Sequence, residues 1–414
     1  MEMKKKVSLV KVDQSGIEAA VRQAVALAGG LDEMVNSASR VLIKPNLFRP
    51  EPSGMGLTTD CRVTEAVTRM VLELGAKSVV IGEGSGAGYD FDGSHSTEEA
   101  FRVSGTADVA RRLGVELRNL NRDAFVEVTI SRPYVMDKVR VAKTALESDV
   151  IISVPLLKTH LRTLVTLSLK NMKGVMPGAE KRKTHRLGLD QAIADLNSVV
   201  KPGYVVVDGL AGMQGRWEYP EDRFELGLII AGSDPVAVDT ACTCLMGFEP
   251  AQVMHLQYFA RRQGTVADLS RLELVGEPLE RYRQNLKSGF EVIKSRYPGV
   301  TIIEGEAACT GCTGELIGAL SAIREAASVS ALNDLTVILG NPTETSTTTK
   351  TIVLGKCARK LAHLGYYVKG CPPRDDDMTR AISKVCGIDA EFVITSRNLA
   401  RERTWAATQA LLEQ

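Results

Sequence analysis

Four cysteines stand close together in the last quarter of the chain: Cys309 and Cys312 in Ala-Cys-Thr-Gly-Cys, Cys357 in Gly-Lys-Cys-Ala, and Cys371 in Lys-Gly-Cys-Pro-Pro-Arg. Four thiolates gathered by glycine-rich loops bind either an iron–sulfur cluster or a structural zinc. Gly311 relaxes the backbone between Cys309 and Cys312, so two neighbouring thiolates reach one centre from one turn. The prolines after Cys371 restrict its loop and limit solvent near the sulfur, which bears on a reduction potential. Structural zinc sites usually pair two Cys-x-x-Cys knuckles, and only the first pair has that form here. The wide, unequal spacing suits a cluster better, with zinc as the alternative and Cys386 as a spare thiol able to replace a ligand. Cys61, Cys242 and Cys244 sit in helical, mostly apolar contexts and read as small core residues.

A second concentration of chemistry follows the run ending at Val154: Pro155-Leu-Leu-Lys-Thr-His160, then Lys170-Asn-Met-Lys-Gly174. In extended backbone Lys158, His160 and Arg162 alternate onto one face. Lys170 and Lys173 share a helical face at three-residue spacing. Lys181, Arg182, Lys183, His185 and Arg186 come next, and such a density of cations at a strand end attracts a carboxylate or phosphate. The bland reading of Lys181 to Lys183 is a solvated loop. Lys158, His160, Lys170, Asn171 and Lys173 are stronger candidates, because they stand among leucines and valines where an unpaired cation is costly. Asp208, ending Tyr204-Val-Val-Val, orients a lysine or histidine or binds a cation. Asp234, before Pro235, is placed to cap a helix. Lys158, His160, Lys170 and Asp208 are therefore the catalytic candidates, and Lys44, Asn46, Arg162, Asn171, Lys173 and His185 the substrate-binding ones. The loop Gly82 to Gly88 would admit a phosphate, but it is neither a Walker loop nor a dinucleotide fingerprint.

These residues must be positioned by alternating strands and helices. Val7 to Val12 reads as a strand; Ile17, Val21, Ala24 and Leu27 follow at helical spacing, ending at Gly29-Gly30. Arg40 to Asn46 and Ser78 to Ile81 are further strands, separated by a helical face of Val63, Val67, Met70, Val71 and Leu74. Asp149 to Val154, Tyr204 to Asp208 and Leu226 to Ile230 read as buried strands. Such units imply an α/β fold, a mostly parallel sheet with helices on both faces, and ligands beyond the carboxyl ends of its strands. A charged, helix-prone stretch then suggests a connector over 251–299. Leu335 to Leu339 and Thr351 to Leu354 place a smaller α/β domain carrying the cysteines over 300–414, after a first domain of 1–250.

Composition bounds the function classes. At 414 residues the chain exceeds one ordinary core. Its 44% hydrophobic and 24% charged residues suit a soluble globular protein, and a net charge of +1 argues against a nucleic-acid partner. No apolar run approaches the length that crosses a bilayer, so no membrane partner and a cytoplasmic location are expected. Thiols stay reduced there, and the eight cysteines read as ligands or core residues before disulfides.

Ile43-Lys-Pro-Asn-Leu47, Thr58-Thr59, Val80-Ile-Gly-Glu83, Asp149 to His160, Leu169-Lys-Asn-Met-Lys-Gly174, Val207-Asp-Gly209 and Ser233-Asp-Pro-Val-Ala-Val-Asp239 together resemble family 362 of the domain-of-unknown-function series, over roughly residues 40 to 250. Members are commonly described as uncharacterised iron–sulfur centre proteins, so the resemblance implies redox context without a reaction. The ferredoxin run Cys-x-x-Cys-x-x-Cys-x-x-x-Cys-Pro is missing here. Instead Gly355-Lys-Cys-Ala358 and Gly370-Cys-Pro-Pro-Arg374 look like cluster-binding segments of the small electron-transferring subunit of respiratory complex I and related hydrogenases.

Two kinds of function follow. One is a redox enzyme in which a [4Fe-4S] cluster transfers electrons to an anionic small molecule at the lysines, supplied by a redox protein donor. If one cysteine does not ligate, an open iron would instead serve a non-redox lyase or sulfur-handling reaction. The other kind is non-catalytic: an electron carrier or a zinc-stabilised binding module.

Overall fold

Val150-Ile-Ile-Ser-Val154 is buried at every position, and its β-branched residues favour an extended backbone packed on both faces. It is one of a set of such runs. The computed structural model describes residues 4–86, 96–215, 220–308 and 310–412; Cys309 and the end of the loop Gly82 to Gly88 lie outside the described residues. Two compact units result, Met1–Gly289 and Phe290–Gln414.

In the first unit the strands are β1 (Lys5–Lys11), β2 (Arg40–Pro45), β3 (Ser78–Glu83), β4 (Glu116–Asn119), β5 (Phe125–Thr129), β6 (Lys138–Ala142), β7 (Val150–Val154), β8 (Leu156–His160), β9 (Leu164–Val165), β10 (Tyr204–Met213), β11 (Arg223–Gly232) and β12 (Leu272–Gly276). The main sheet runs β12-β1-β11-β10-β7-β2-β3-β4, with β8 joined to β10 and β9 to β8. It is mostly parallel, as expected, but β11 is antiparallel to both β1 and β10. Strands β5 and β6 form a separate antiparallel ribbon.

Side-chain alternation sends the two sheet faces into two cores. Val205, Val207, Leu228 and Ile230 pack with the helices Leu189–Asn197, Pro235–Leu245 and Met254–Arg262. Tyr204, Val206, Ile229 and Ala231 pack on the other face with the helices Gly16–Leu27, Cys61–Glu73 and Thr106–Leu113. Asp234 caps Pro235–Leu245, accepting from the N–H groups of Val236 and Ala237 at 2.9 and 3.0 Å.

The stretch expected as a connector is built into this unit up to Gly289. Strand β12 pairs in parallel with β1, and Met254–Arg262 buries His255, Leu256, Phe259 and Ala260. The charges that suggested a connector are those of outer faces: Leu272 and Leu274 turn partly inward while Glu273 is exposed.

The second unit holds four parallel strands in order: β13 (Val300–Glu304), β14 (Leu335–Leu339), β15 (Lys350–Leu354) and β16 (Tyr366–Val368). Helices Thr310–Ala326, Asp375–Cys386 and Ala390–Leu412 pack against one another. Because the strands are parallel, the segments carrying Cys312, Cys357 and Cys371 follow β13, β15 and β16 at one edge of the sheet. No described helix of either unit is long and apolar enough to cross a membrane.

Candidate functional site

Strands β2, β3 and β7 are parallel neighbours, so Pro45, Glu83 and Val154 leave the sheet at the same edge. Lys44 is fully buried there, and its Nζ lies 2.8 and 2.9 Å from the two Glu83 carboxylate oxygens. Burial pushes the Lys44 amine down and the Glu83 charge opposes that shift. Lys44 also donates to Asn171 Oδ1 at 3.2 Å, and Asn46 donates to the same oxygen at 3.0 Å. The Asn171 amide in turn donates to Lys44 O and Ser153 Oγ. Lys158, 1% exposed, donates to Asn46 Oδ1 and Leu57 O at 2.8 and 2.9 Å, with its amine 5.6 Å from the Phe48 ring centre. Lys44, Asn46, Lys158 and Asn171, all candidates for contact with a substrate, thus form one continuous buried network.

Asn171 closes the short helix Ser168–Asn171. Asp239 caps that helix, accepting from Ser168 N, Ser168 Oγ and Leu169 N at 2.9, 2.6 and 3.1 Å. With its base tied to Asp239 and its end to the lysine network, the turn has little freedom to rotate Lys170, which lies between. The partly exposed Lys170 side chain makes no hydrogen bond to another described residue. Burial pushes its amine down to about 7, opposed by Asp190.

Around Lys170 stand groups that cannot neutralise it. Lys173 Nζ lies 3.1 Å from His185 Nε2, and burial together with Lys170 and Lys181 holds the Lys173 amine well below its ordinary range. Burial, then Lys173, Lys170 and Arg162 push His185 down to about 2, so its imidazole is neutral. His160 is also held neutral, by burial first and then by Lys170, His185 and Lys173. Its Nδ1 accepts from the backbone N–H groups of Arg162 and Thr163, each at 3.2 Å. Arg162 lies in the turn after β8 rather than in the extended run expected for it. The strand returns through Leu164, whose φ of 61° is unusual for a branched residue and marks a tightly determined turn.

The remaining candidates fall elsewhere. Asp208 accepts from Asp60 N at 2.7 Å and Leu210 N at 3.0 Å, and burial raises its carboxyl to about 7. Its partners include none of the clustered lysines and histidines. Lys181, read as part of a solvated run, is 3% exposed and donates to Gly84 O, Ser85 O and Asn121 Oδ1. It braces the glycine loop from inside, while Arg182 and Lys183 are exposed. Sequence reasoning gave no role to Glu83, Asp190, Asp239 or His255; the signal for His255 is that the chain has only five histidines. An open cleft of about 690 Å³ lies beside Asp60, Arg62, Glu65, Arg223 and Glu225. Its arginines are already paired with acids, Arg62 with Asp60 and Arg223 with Glu225.

In the second unit, a methyl group placed on Gly355 would lie 2.9 Å from Cys312 Sγ and 3.7 Å from Cys357 Sγ, so both sulfurs face the space beside this glycine. The φ of 87° at Gly355 excludes larger residues independently. Lys356 N donates to Gly370 O at 2.7 Å, which brings the Cys357 and Cys371 segments side by side. Cys312 is buried; Cys357 and Cys371 are exposed at the rim. Among the described residues no three potential ligands gather as tightly as a single metal ion needs.

Residues 41–244, which contain the whole lysine network, match the family described as Domain of unknown function (DUF362). The chain carries a DUF362 domain. A thylakoid-associated protein of Synechocystis is 26% identical over 260 residues, 61% of this chain and 77% of that protein. Among solved structures, the lactate racemase apoprotein from Thermoanaerobacterium thermosaccharolyticum is 10% identical, with 93% of this chain and 81% of that one covered at a TM-score of 0.41. A Thermotoga maritima protein is 15% identical, with 79% and 71% covered at 0.38. Neither structural likeness is close enough to bear on chemistry.

Two outcomes follow for the DUF362 domain. Glu83→Gln leaves the Lys44 ammonium buried without a counter-charge and costs about 3 kcal/mol or more, read as a lowered urea midpoint; Lys44→Met with Glu83→Leu regains part of it. An equal midpoint for wild type and Glu83→Gln would remove the ion pair as an anchor. For Lys170, a folded pKa below the unfolded one means that the native state binds fewer protons, so stability rises with pH between about 7 and 10.5. Lys170→Met abolishes that rise and is the more stable protein at pH 7, measured by urea unfolding across this interval.

Proposed function

We propose that the protein is an iron–sulfur oxidoreductase acting on an anionic small molecule. In this reading Cys309, Cys312, Cys357 and Cys371 hold a [4Fe-4S] cluster in the second unit, and Lys170, Lys173, Arg162, His160 and His185 receive a carboxylate or phosphate in the first. The observation that carries it is the meeting of the Cys312 and Cys357 sulfurs at Gly355, with the Cys371 segment bonded alongside. A cluster bound there would supply single electrons. The chain's own residues do the rest: the partly exposed lysines neutralise the anion, and the neutral histidines orient it through N–H groups without competing for its charge. The reading places the protein in the cytoplasm, with a redox protein as its electron donor.

Anaerobic reconstitution with ferrous iron and sulfide tests it. The expected product holds about four iron atoms per chain and gives an electron paramagnetic resonance signal on reduction. Cys312→Ser and Cys357→Ser lose the signal, whereas Cys386→Ser keeps it. One tightly held zinc per chain and no signal after reduction would replace the cluster by a structural metal and the oxidoreductase by a binding module.

A further inference from the structure

The exposed thiols of the second unit stand among unpaired cations. Arginines elsewhere on the surface have acids beside them: Arg22 has Glu18 and Glu73, Arg40 has Asp149, and Arg69 and Arg112 share Glu65. Lys356, Arg359, Lys360, Lys369 and Arg374 are all exposed, and none makes an ion pair with a described residue.

Backbone geometry gathers these five around Cys357 and Cys371. Lys356–Leu364 is a 3₁₀ helix, and three residues per turn stack its side chains into three ridges. Ala358, Leu361 and Leu364 form the inner ridge, packed with Ile338 and Val353. The other two ridges face solvent, Lys356 and Arg359 on one, Cys357, Lys360 and His363 on the other. Lys360 therefore follows Cys357 on the same ridge, about 6 Å further along the axis. Gly355 N donates to Val368 O at 3.0 Å and Lys356 N to Gly370 O at 2.7 Å, which lays Lys369 and Cys371 alongside the start of this helix, with Arg374 just beyond. Acids do not offset the charge. Asp375 and Asp376 are held by Arg397, and Asp377 acts on Arg380. Glu306 and Glu344 are exposed but belong to the segments after β13 and β14.

We infer that this rim docks an acidic electron-carrier protein, whose carboxylates meet the five cations over Cys357 and Cys371. This deepens the proposed function by naming its partner and rests on the cluster proposed there. One electron leaves the carrier and enters that cluster; no bond forms or breaks. Positive charge around exposed ligands suits such a partner in two ways. It raises the encounter rate and turns the carrier's acidic face toward the thiols, and because solvated ion pairs are individually weak, the carrier leaves again after transfer. A nucleic acid or a membrane surface fits less well. The chain as a whole has a net charge of only +1. Among the described residues, the exposed large apolar side chains of this unit, Tyr366, Phe392 and Leu399, lie at the opposite end of β16 and in the helix Ala390–Leu412, outside the rim segments.

Binding and electron transfer are measured separately. The full-length protein, as isolated and after reconstitution with iron and sulfide, is titrated by calorimetry with an acidic plant-type [2Fe-2S] ferredoxin and with flavodoxin. Reduction of the reconstituted protein by reduced ferredoxin is followed by stopped flow. Binding at about 20 mM salt is expected to weaken about tenfold or more at about 500 mM. Arg359→Glu with Lys369→Glu weakens it about tenfold or more at low salt and slows reduction in step, and Arg359→Gln with Lys369→Gln lies between. The methyl viologen radical cation still reduces the charge-reversed variant as fast as wild type, which shows an intact cluster. Lys77→Glu with Lys201→Glu, the same charge change in the first unit, alters neither reading. Binding indifferent to salt or to the rim substitutions, equal weakening by the Lys77 and Lys201 pair, or no binding of either carrier would overturn the docking face and leave the cluster standing. Tighter binding of duplex DNA or of phosphatidylserine vesicles, lost in the same rim variant, would overturn the acidic protein as partner. Rim-dependent binding of ferredoxin by a chain that takes up no iron would instead sink the oxidoreductase reading and keep the docking face.

Discussion

A lysine ammonium in the middle of a sheet edge cannot be left without a counter-charge, and much of the first unit is arranged around that fact. Lys44 lies where three parallel strands end, and Glu83, on the neighbouring strand, takes its charge with both oxygens. Glu83 also accepts from Leu47 N and Gly84 N, so the same carboxylate sets the exit directions of β2 and β3. Asn171 accepts from Lys44 and Asn46 and donates to Lys44 O and Ser153 Oγ. This couples the sheet edge to the helical turn carrying Lys170. A fully satisfied buried network of this kind specifies one arrangement, because each alternative leaves a charged or polar group without a partner.

Glycine has a comparable role in both units, at places where backbone or sulfur must come close. A Cβ at Gly174 would lie 2.0 Å from Glu83 Oε1 and 2.5 Å from Lys44 Nζ, so the ion pair exists only because this position has no side chain. At Gly355 the excluded atom would meet Cys312 Sγ instead. In one unit the missing side chain admits a salt bridge; in the other it keeps open a space flanked by thiols.

The central strands of both sheets were legible because runs such as Val150 to Val154 in the first unit and Leu335 to Leu339 in the second are buried on both faces and so leave no polar interruption. Strand β12 was hidden by its position: half exposed at the sheet edge, its alternating Leu272-Glu-Leu274 reads as charged surface. The site was legible as a set of cations but not as a division of labour. Sequence shows where a charge is and not what neutralises it: the partner of Lys44 is 39 positions away and that of Lys181 is a pair of backbone carbonyls, with Asn121. Lys181 and Lys183 look alike in Glu-Lys-Arg-Lys, yet one is core and the other surface, because helical periodicity turns neighbours to different faces. The cysteines could be grouped by their glycine-rich settings, while their common sheet edge follows only from the parallel order of β13 to β16, and β13 and β16 were not among the expected strands.

The electrostatics of the lysine pocket also constrain how a substrate can lie in it. An anionic group beside Lys170 would favour the ammonium and cancel the field that keeps this amine near 7. An anion bound there would stabilise the fold by relieving repulsion among Lys158, Lys170 and Lys173.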